Sequence, residues 1–184
     1  VHLVADAKRY YPYGSLAAQV IGFVGDENTG LYGLEAYYEK ELEGQSGLVI
    51  SSKDQAENDM LYTYEQYFAA KNGSDLTLTL DATIQYYLEK GLESMADKFA
   101  AANGAAGIIM DAKTGGILAM VSTPTFDPNL FVDGIRSEDW DVLNNSPDRP
   151  MINRAINGAY PPGSTFKPFM ALAALELGKR TPQY

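Results

Sequence analysis

Residues 76–121 constrain the fold more than any other stretch of the chain. Leu76-Thr77-Leu78-Thr79-Leu80 alternates strictly, so one face is apolar and the run predicts a strand. Asp81 comes next, a side chain suited to capping the helix that follows. Ile84, Leu88, Leu92, Met95 and Phe99 then recur every three or four residues, which is the stripe of an amphipathic helix. Asn103-Gly104 ends it. Two apolar runs, 106–110 and 117–121, are joined by Asp111-Ala112-Lys113-Thr114-Gly115-Gly116, predicting a hairpin of two largely buried strands. Strand, helix and hairpin in this order predict an antiparallel sheet packed on helices, an α+β fold.

The rest of the chain is less regular. Arg9-Tyr10-Tyr11-Pro12-Tyr13-Gly14 predicts an extended piece running into a turn, because Pro12 biases Tyr11 away from helix and Gly14 supplies loose backbone. Leu34, Tyr37, Tyr38 and Leu42 have helical spacing, with Gly44 as the stop. Leu48-Val49-Ile50 predicts a short strand, and 61–70 is open between strand and helix because Tyr62, Tyr64 and Tyr67 fit neither period. Lys71-Asn72-Gly73-Ser74 has the composition of a linker, so residues 1–75 and 76–184 are expected to be separate domains. Prolines at 124, 128, 147, 150, 161 and 162 predict loops over 123–163, and helix returns over 164–177.

Composition removes several function classes. The net charge is −10, with −7 in residues 1–75 and −3 in the remainder, which argues against a nucleic-acid backbone as partner. Cysteine is absent and His2 is the only histidine. Disulfides, thiolate metal sites and cysteine nucleophiles are therefore excluded, and a Ser-His-Asp triad is not expected. No metal or cofactor is expected. Asp127 and Asp133 with Glu138, Asp139 and Asp141 lack the spacing of a calcium loop and predict a solvated acidic surface. No run approaches the roughly 20 apolar residues of a membrane span. The tyrosine pairs at 10–11, 37–38 and 86–87 predict packing rather than a sugar platform. Trp140 is expected to pack on the loop before the last helix, with an exposed glycan contact as the other reading.

Ser164-Thr165-Phe166-Lys167 is the sharpest chemical feature. Ser and Lys three apart at a helix start share a face. An alcohol is a poor nucleophile until a base takes its proton. A lysine amine does so only when neutral, and both burial and the positive end of a helix favour the neutral form. The same helix end offers a backbone N–H to an oxyanion. Gly163 clears bulk where a substrate backbone would approach, and Pro168 is comfortable only near a helix start. A chain with ten serines and nine lysines in 184 residues produces Ser-x-x-Lys by chance often enough that the spacing alone carries little weight.

The surrounding residues carry more. Asn153 to Pro168 (NRAINGAYPPGSTFKP) resembles the active-serine region of penicillin-binding proteins. LTLTLDATIQ at 76–85, GIIMDAKTGGILAM at 107–120 and STPTFDPN at 122–129 resemble the opening of the same transpeptidase domain. RYYPYG at 9–14 and GLYGLEAYYEKELEGQSG at 30–47 resemble the pedestal, or dimerisation-type, domain of the class B, monofunctional branch. Only residues from about 51 to 75 are weakly diagnostic.

The resemblance implies a serine β-lactamase-like transpeptidase domain after a pedestal, and a peptidoglycan D,D-transpeptidase. Ser164 matches the acylated nucleophile, which attacks the penultimate D-Ala carbonyl of a stem peptide and which β-lactams acylate. Lys167 matches the proton acceptor. Arg9 and Glu35 match pedestal motifs that hold that region together and against the catalytic domain. It further implies an extracytoplasmic location, a single N-terminal membrane anchor and a polytopic membrane glycan polymerase as partner. The family completes its site with S-x-N and K-[ST]-G after the nucleophile, and neither follows Ser164 here. Lys113-Thr114-Gly115 precedes the serine and reads as turn chemistry. The anchor and the first pedestal motif are also missing, so these 184 residues are expected to be an internal piece of a longer protein, without turnover alone, and either associated with the missing C-terminal piece or marginally stable. Two other readings stand beside this one. The chain is a non-catalytic scaffold docking a membrane polymerase, or it belongs to a β-lactam sensor or serine β-lactamase, against which the pedestal motifs argue.

Overall fold

The computed structural model describes residues 8–50, 66–99 and 104–183. The readings placed on His2, residues 51–60, Tyr62, Tyr64 and Asn103 lie outside them. Helices and antiparallel strand pairs alternate along the chain, as the α+β expectation requires.

The N-terminal part opens with a turn, Gly14 N donating to Tyr11 O at 3.1 Å, as RYYPYG predicts. A short helix α1 (Ala18–Ile21) leads into a two-stranded ribbon, β1 (Phe23–Val24) and β2 (Gly30–Tyr32), then α2 (Gly33–Tyr37) and α3 (Glu39–Leu42). The helix expected over 34–42 is therefore broken at Tyr38. Gly22 and Gly33 are both at positive φ, and a Cβ on Gly22 would stand 1.7 Å from the Tyr32 carbonyl oxygen, so only glycine lets the ribbon fold this tightly onto α1. β3 (Leu48–Ile50) pairs antiparallel with β4 (Gln66–Phe68), settling 66–68 as strand.

The stretch 76–80 does not form the strand that its alternation predicts. It joins no ladder. It meets β6 (Ile117–Thr123) only at its end, where Thr79 Oγ1 donates to Ile117 O at 2.7 Å and Asp81 N donates to Leu118 O at 2.9 Å. Leu76 and Leu78 remain exposed because no neighbouring strand covers them among the described residues. Asp81 caps α4 (Ala82–Lys98) as expected, accepting from Thr83 N and Ile84 N at 2.9 Å.

The hairpin is β5 (Ala105–Met110) with β6, in register Ala105↔Thr123 through Met110↔Ile117. α4 lies across it. Gly107 makes room, since a Cβ there would sit 3.0 Å from one Leu92 methyl and 3.3 Å from one of Leu88. Two parts of the expectation fail. β6 is largely buried, but Ile108, Ile109 and Met110 of β5 are exposed, because β5 has a pairing partner on one edge only among the described residues. On α4 the buried side chains are Gln85 and Glu89, while Met95 and Phe99 are exposed beyond the reach of the hairpin.

Between the hairpin and the last helix come a 3₁₀ turn (Pro128–Leu130), α5 (Ser137–Asn145) and α6 (Arg154–Asn157). A second 3₁₀ turn (Gly163–Phe166) runs into α7 (Lys167–Glu176). One core cluster draws on residues from both sides of residue 75. Tyr11, Ala18, Phe23 and Val24 from the N-terminal part pack with Phe126, Phe131 and Val132 from the loop after β6. Phe23 stacks on Phe131, with ring centroids 3.7 Å apart, and meets Phe126 edge to face. Polar bonds cross the same seam: Tyr11 N donates to Asn129 Oδ1 and Asn129 Nδ2 returns a bond to Tyr11 O, both at 3.0 Å.

Candidate active site

Residues 153–167 build the segment that carries the candidate chemistry. Asn153 caps α6 by accepting from Ala155 N at 3.1 Å. Arg154 is buried, and its guanidinium donates to the carbonyls of Arg149 and Asp148, tying the loop before α6 into a ring. After Gly158 the chain runs through Pro161 and Pro162 to Gly163, whose φ of +55° is a left-handed value favouring glycine. Thr165 N donates to Pro162 O at 3.3 Å, and Thr165 Oγ1 donates to the same carbonyl. Lys167 N donates to Ser164 O, so the two candidate residues stand one turn apart at the leading end of α7. Pro168 sits in the first turn, where its missing N–H costs nothing.

Ser164 is thus placed at a helix start, as its sequence context predicts. Lys167 is on the adjoining turn, but it is exposed, and no hydrogen bond joins the two side chains among the described residues. The burial expected around Lys167 is not supplied by this part of the chain, for α7 packs closely only on its own 3₁₀ turn among the described residues. Phe169, Met170 and Leu172 of α7 and its cap residue Leu177 are all exposed.

Arg9 and Glu35 are brought together, as expected. Arg9 Nε stands 2.9 Å from Glu35 Oε1 and Arg9 Nη2 donates to Oε2 at 3.0 Å. Tyr11 OH donates to Glu35 Oε1 at 3.3 Å and accepts from Val24 N at 3.0 Å. Burial first, and the Glu35 charge second, push the Tyr11 phenol well above its ordinary range. Lys113-Thr114-Gly115 is hairpin turn chemistry: Asp111 accepts from Lys113 N at 2.9 Å and from Thr114 Oγ1 at 2.8 Å, which holds its carboxyl below the usual aspartate range. Asp127 caps the 3₁₀ turn at 128–130, Asp133 pairs with Lys8 at 2.5 Å and Asp139 with Arg136 at 2.7 Å. Of the tyrosine pairs, only Tyr11 is buried. Tyr37 and Tyr38 pack edge to face, as do Tyr86 and Tyr87, but Tyr37, Tyr86 and Tyr87 are exposed. Trp140 is 41% exposed on α5, which leaves it half packed.

The sequence reading missed a set of buried polar residues around this region. Gln85 pairs with the Met120 backbone in both directions, accepting from N at 2.8 Å and donating to O at 2.9 Å, and also donates to Glu89 Oε1 at 2.8 Å. Glu89 accepts from Ala17 N at 2.9 Å. Gln19 donates toward the carbonyls of Ser122, Pro124 and Pro150. The available signal was a lone amide inside each apolar run, at LAAQVIG and TIQYYL.

Comparison with known proteins matches this layout. Residues 1–78 match the family model of the penicillin-binding protein dimerisation domain, and residues 105–183 that of the penicillin-binding protein transpeptidase domain. The peptidoglycan D,D-transpeptidase MrdA of Escherichia coli K12 is 39% identical over 195 residues, covering 93% of this chain and 29% of the relative. Stage V sporulation protein D of Bacillus subtilis 168 is 37% identical over 176 residues, covering 96% of this chain and 25% of the relative. The chain therefore spans less than a third of the curated relatives it matches. The crystal structure of Pseudomonas aeruginosa PBP2 with WCK 5153 superposes with a TM-score of 0.75 at 32% identity, over 100% of this chain and 38% of that one. PBP2 of Helicobacter pylori, solved in complex with MreC, superposes with a TM-score of 0.70 at 31% identity, over 92% of this chain and 32% of that one. With a dimerisation segment running into a transpeptidase segment around one shared core, the chain belongs to the penicillin-binding proteins.

Proposed function

We propose that this chain is part of a peptidoglycan D,D-transpeptidase acting outside the cytoplasm through an acyl-serine. The observation that carries the reading is the place of Ser164 at the leading turn of α7, with Lys167 one turn on, inside the stretch matching the transpeptidase model. In this reading the Lys167 amine, when neutral, accepts the Ser164 proton as Oγ bonds to the penultimate D-Ala carbonyl carbon. The oxyanion forms against backbone N–H at the helix end. The peptide C–N bond then breaks, terminal D-alanine leaves with a proton, and the amine of a second stem peptide takes the acyl group from Ser164. A β-lactam would acylate the same oxygen by ring opening. No described helix is long and apolar enough to cross a membrane, and a membrane anchor and a glycan polymerase partner belong to the proposed whole protein. We place the pedestal boundary near residue 75, where Ser74 N still donates to Glu41 O at 2.7 Å before the chain turns toward α4.

A second reading, protein docking, has one observation behind it: the Helicobacter relative was solved bound to MreC. The dimerisation match over 1–78 favours both readings over a free-standing β-lactamase or β-lactam sensor. Fluorescent penicillin on the whole protein decides between chemistry and scaffold. Covalent label at Ser164, lost in Ser164→Ala, supports the transpeptidase; a folded protein without label leaves only docking.

A further inference from the structure

Two side chains of the N-terminal part reach across the shared core to successive carbonyls of the loop that leads to Ser164. Gln19, buried on α1, donates from Nε2 to Pro150 O at 2.9 Å. Tyr32, at the end of β2, donates its hydroxyl to Met151 O at 2.8 Å. Burial raises the Tyr32 phenol above its ordinary range, and the nearby Asn153 backbone N–H offsets part of that. Ser122 Oγ takes the next carbonyl, Ile152 O, at 2.9 Å, and accepts from Arg154 N at 3.1 Å. Residues 150–152 lie in neither helix nor sheet, so no ladder satisfies their carbonyls and side chains must.

Gln19 is committed further. Its Nε2 also lies 3.1 Å from Ser122 O and from Pro124 O. An amide nitrogen carries two hydrogens, and three carbonyls surround this one. The end of β6 and the loop at 150 are therefore fixed to each other through a residue of the N-terminal part. α6 begins at Arg154, and only 158–162 separate its end from the turn bearing Ser164.

We propose that Gln19 and Tyr32 are positioning residues for Ser164: pedestal side chains that fix the backbone at 150–151 and so make the acylation rate of the serine depend on the pedestal. The proposal rests on the acyl-serine reading above. Reacting groups tolerate little misplacement, about 1 Å costing on the order of a hundredfold, and a loop released at its root moves the turn it leads to.

The test uses the full-length protein carrying Gln19→Met, which keeps the bulk and removes the donor, and Tyr32→Phe, which removes one hydroxyl. Tyr11→Phe serves as control, since it loosens the same core without touching 150–152. Acylation by fluorescent penicillin is followed at saturating and subsaturating concentrations, beside melting temperature and amide exchange. The expected result is a fall of about fivefold or more in the saturating acylation rate for both variants, with faster exchange over 150–157, while Tyr11→Phe stays within about twofold. Equal rates in wild type and both variants overturn the proposal, as does an equal slowing by Tyr11→Phe, which would mean general loosening. Should Gln19→Met not fold, Tyr32→Phe alone decides. A wild type that takes no label at Ser164 sinks the acyl-serine reading instead, and amide exchange at 150–157 still judges whether these side chains hold the loop.

Discussion

Arg9 meets Glu35 with two nitrogens on two oxygens, at 2.9 and 3.0 Å, and the pair is lopsided in burial: the Glu35 side chain is 8% exposed, that of Arg9 40%. Removing Arg9 leaves a carboxylate in the core with one phenol donor at 3.3 Å, whereas removing the Glu35 charge leaves a guanidinium that water can reach. The asymmetry sets an order. Arg9→Met is expected to cost about 2 kcal/mol, discounted from the value for a fully buried pair because Arg9 is partly solvated. Glu35→Gln should cost less, and Glu35→Gln in the Arg9→Met background should recover stability. Urea midpoints at pH 7 check it; a larger loss for Glu35→Gln than for Arg9→Met contradicts the charge argument.

Alkaline pH should attack the same cluster. Tyr11 and Tyr32 both have phenols raised above the ordinary value of 10.0, chiefly by burial. A raised folded-state value means that the folded state favours the neutral phenol. The stabilisation is complete below pH 10 and is lost as pH climbs above it. Each group can contribute a slope of up to about 1.4 kcal/mol per pH unit. Melting temperature should therefore hold to about pH 10 and fall beyond it. Tyr11→Phe starts lower, because Val24 N loses its acceptor, but should decline less steeply. Parallel curves for the two proteins would rule out Tyr11 as a source of the slope.

What was legible follows from which interactions are local. The Asp81 cap, the body of α4, the 111–116 turn and the helix start at Ser164 each depend on residues within a few positions, and each stands where its pattern puts it. α5 was hidden among prolines, although Ser137-Glu138-Asp139 supplies the acidic first turn that a helix start favours. The failures share a cause. Alternation in 76–80 and the stripe reaching Phe99 report which side chains seek cover, not whether a neighbour covers them. The core contact between Phe23 and Phe131 was illegible for the complementary reason, since no local pattern records a contact between residues more than a hundred positions apart.

Gly107 tests how tightly α4 is laid on the hairpin. A Cβ would press within 3.0 Å of Leu92 Cδ1 and within 3.4 Å of both Leu88 methyls, in a packed layer where those branches have little room to yield. Gly107→Ala is expected to destabilise by about 1 kcal/mol and Gly107→Val by about 2–3 kcal/mol. Chemical denaturation measures both. A neutral or stabilising Gly107→Val would show that the helix rides further from β5 than these distances state.

Gln85 gives the sharpest electrostatic test. It is 1% exposed, completes the Met120 backbone in both directions and donates to Glu89 Oε1. Gln85→Leu orphans the part-buried N–H and C=O of Met120, and should cost about 2 kcal/mol. Gln85→Glu is more informative. It keeps the acceptor for Met120 N, but sets a second carboxylate beside Glu89 and facing Met120 O. Two carboxylates there repel, so the folded state of the variant holds a proton more tightly than the unfolded chain does. A raised folded-state pKa makes stability greatest below the unfolded carboxylate value near pH 4.3 and erodes it as pH rises. The deficit of Gln85→Glu against wild type should therefore be large at pH 7 and shrink toward pH 4.5, and by more than that of Gln85→Leu, which removes one donor from Glu89 but adds no charge. Thermal melts of the three proteins across that range separate the cases. A Gln85→Glu deficit that does not change with pH would mean that the amide acts by shape alone and that its hydrogen bond to Glu89 is incidental.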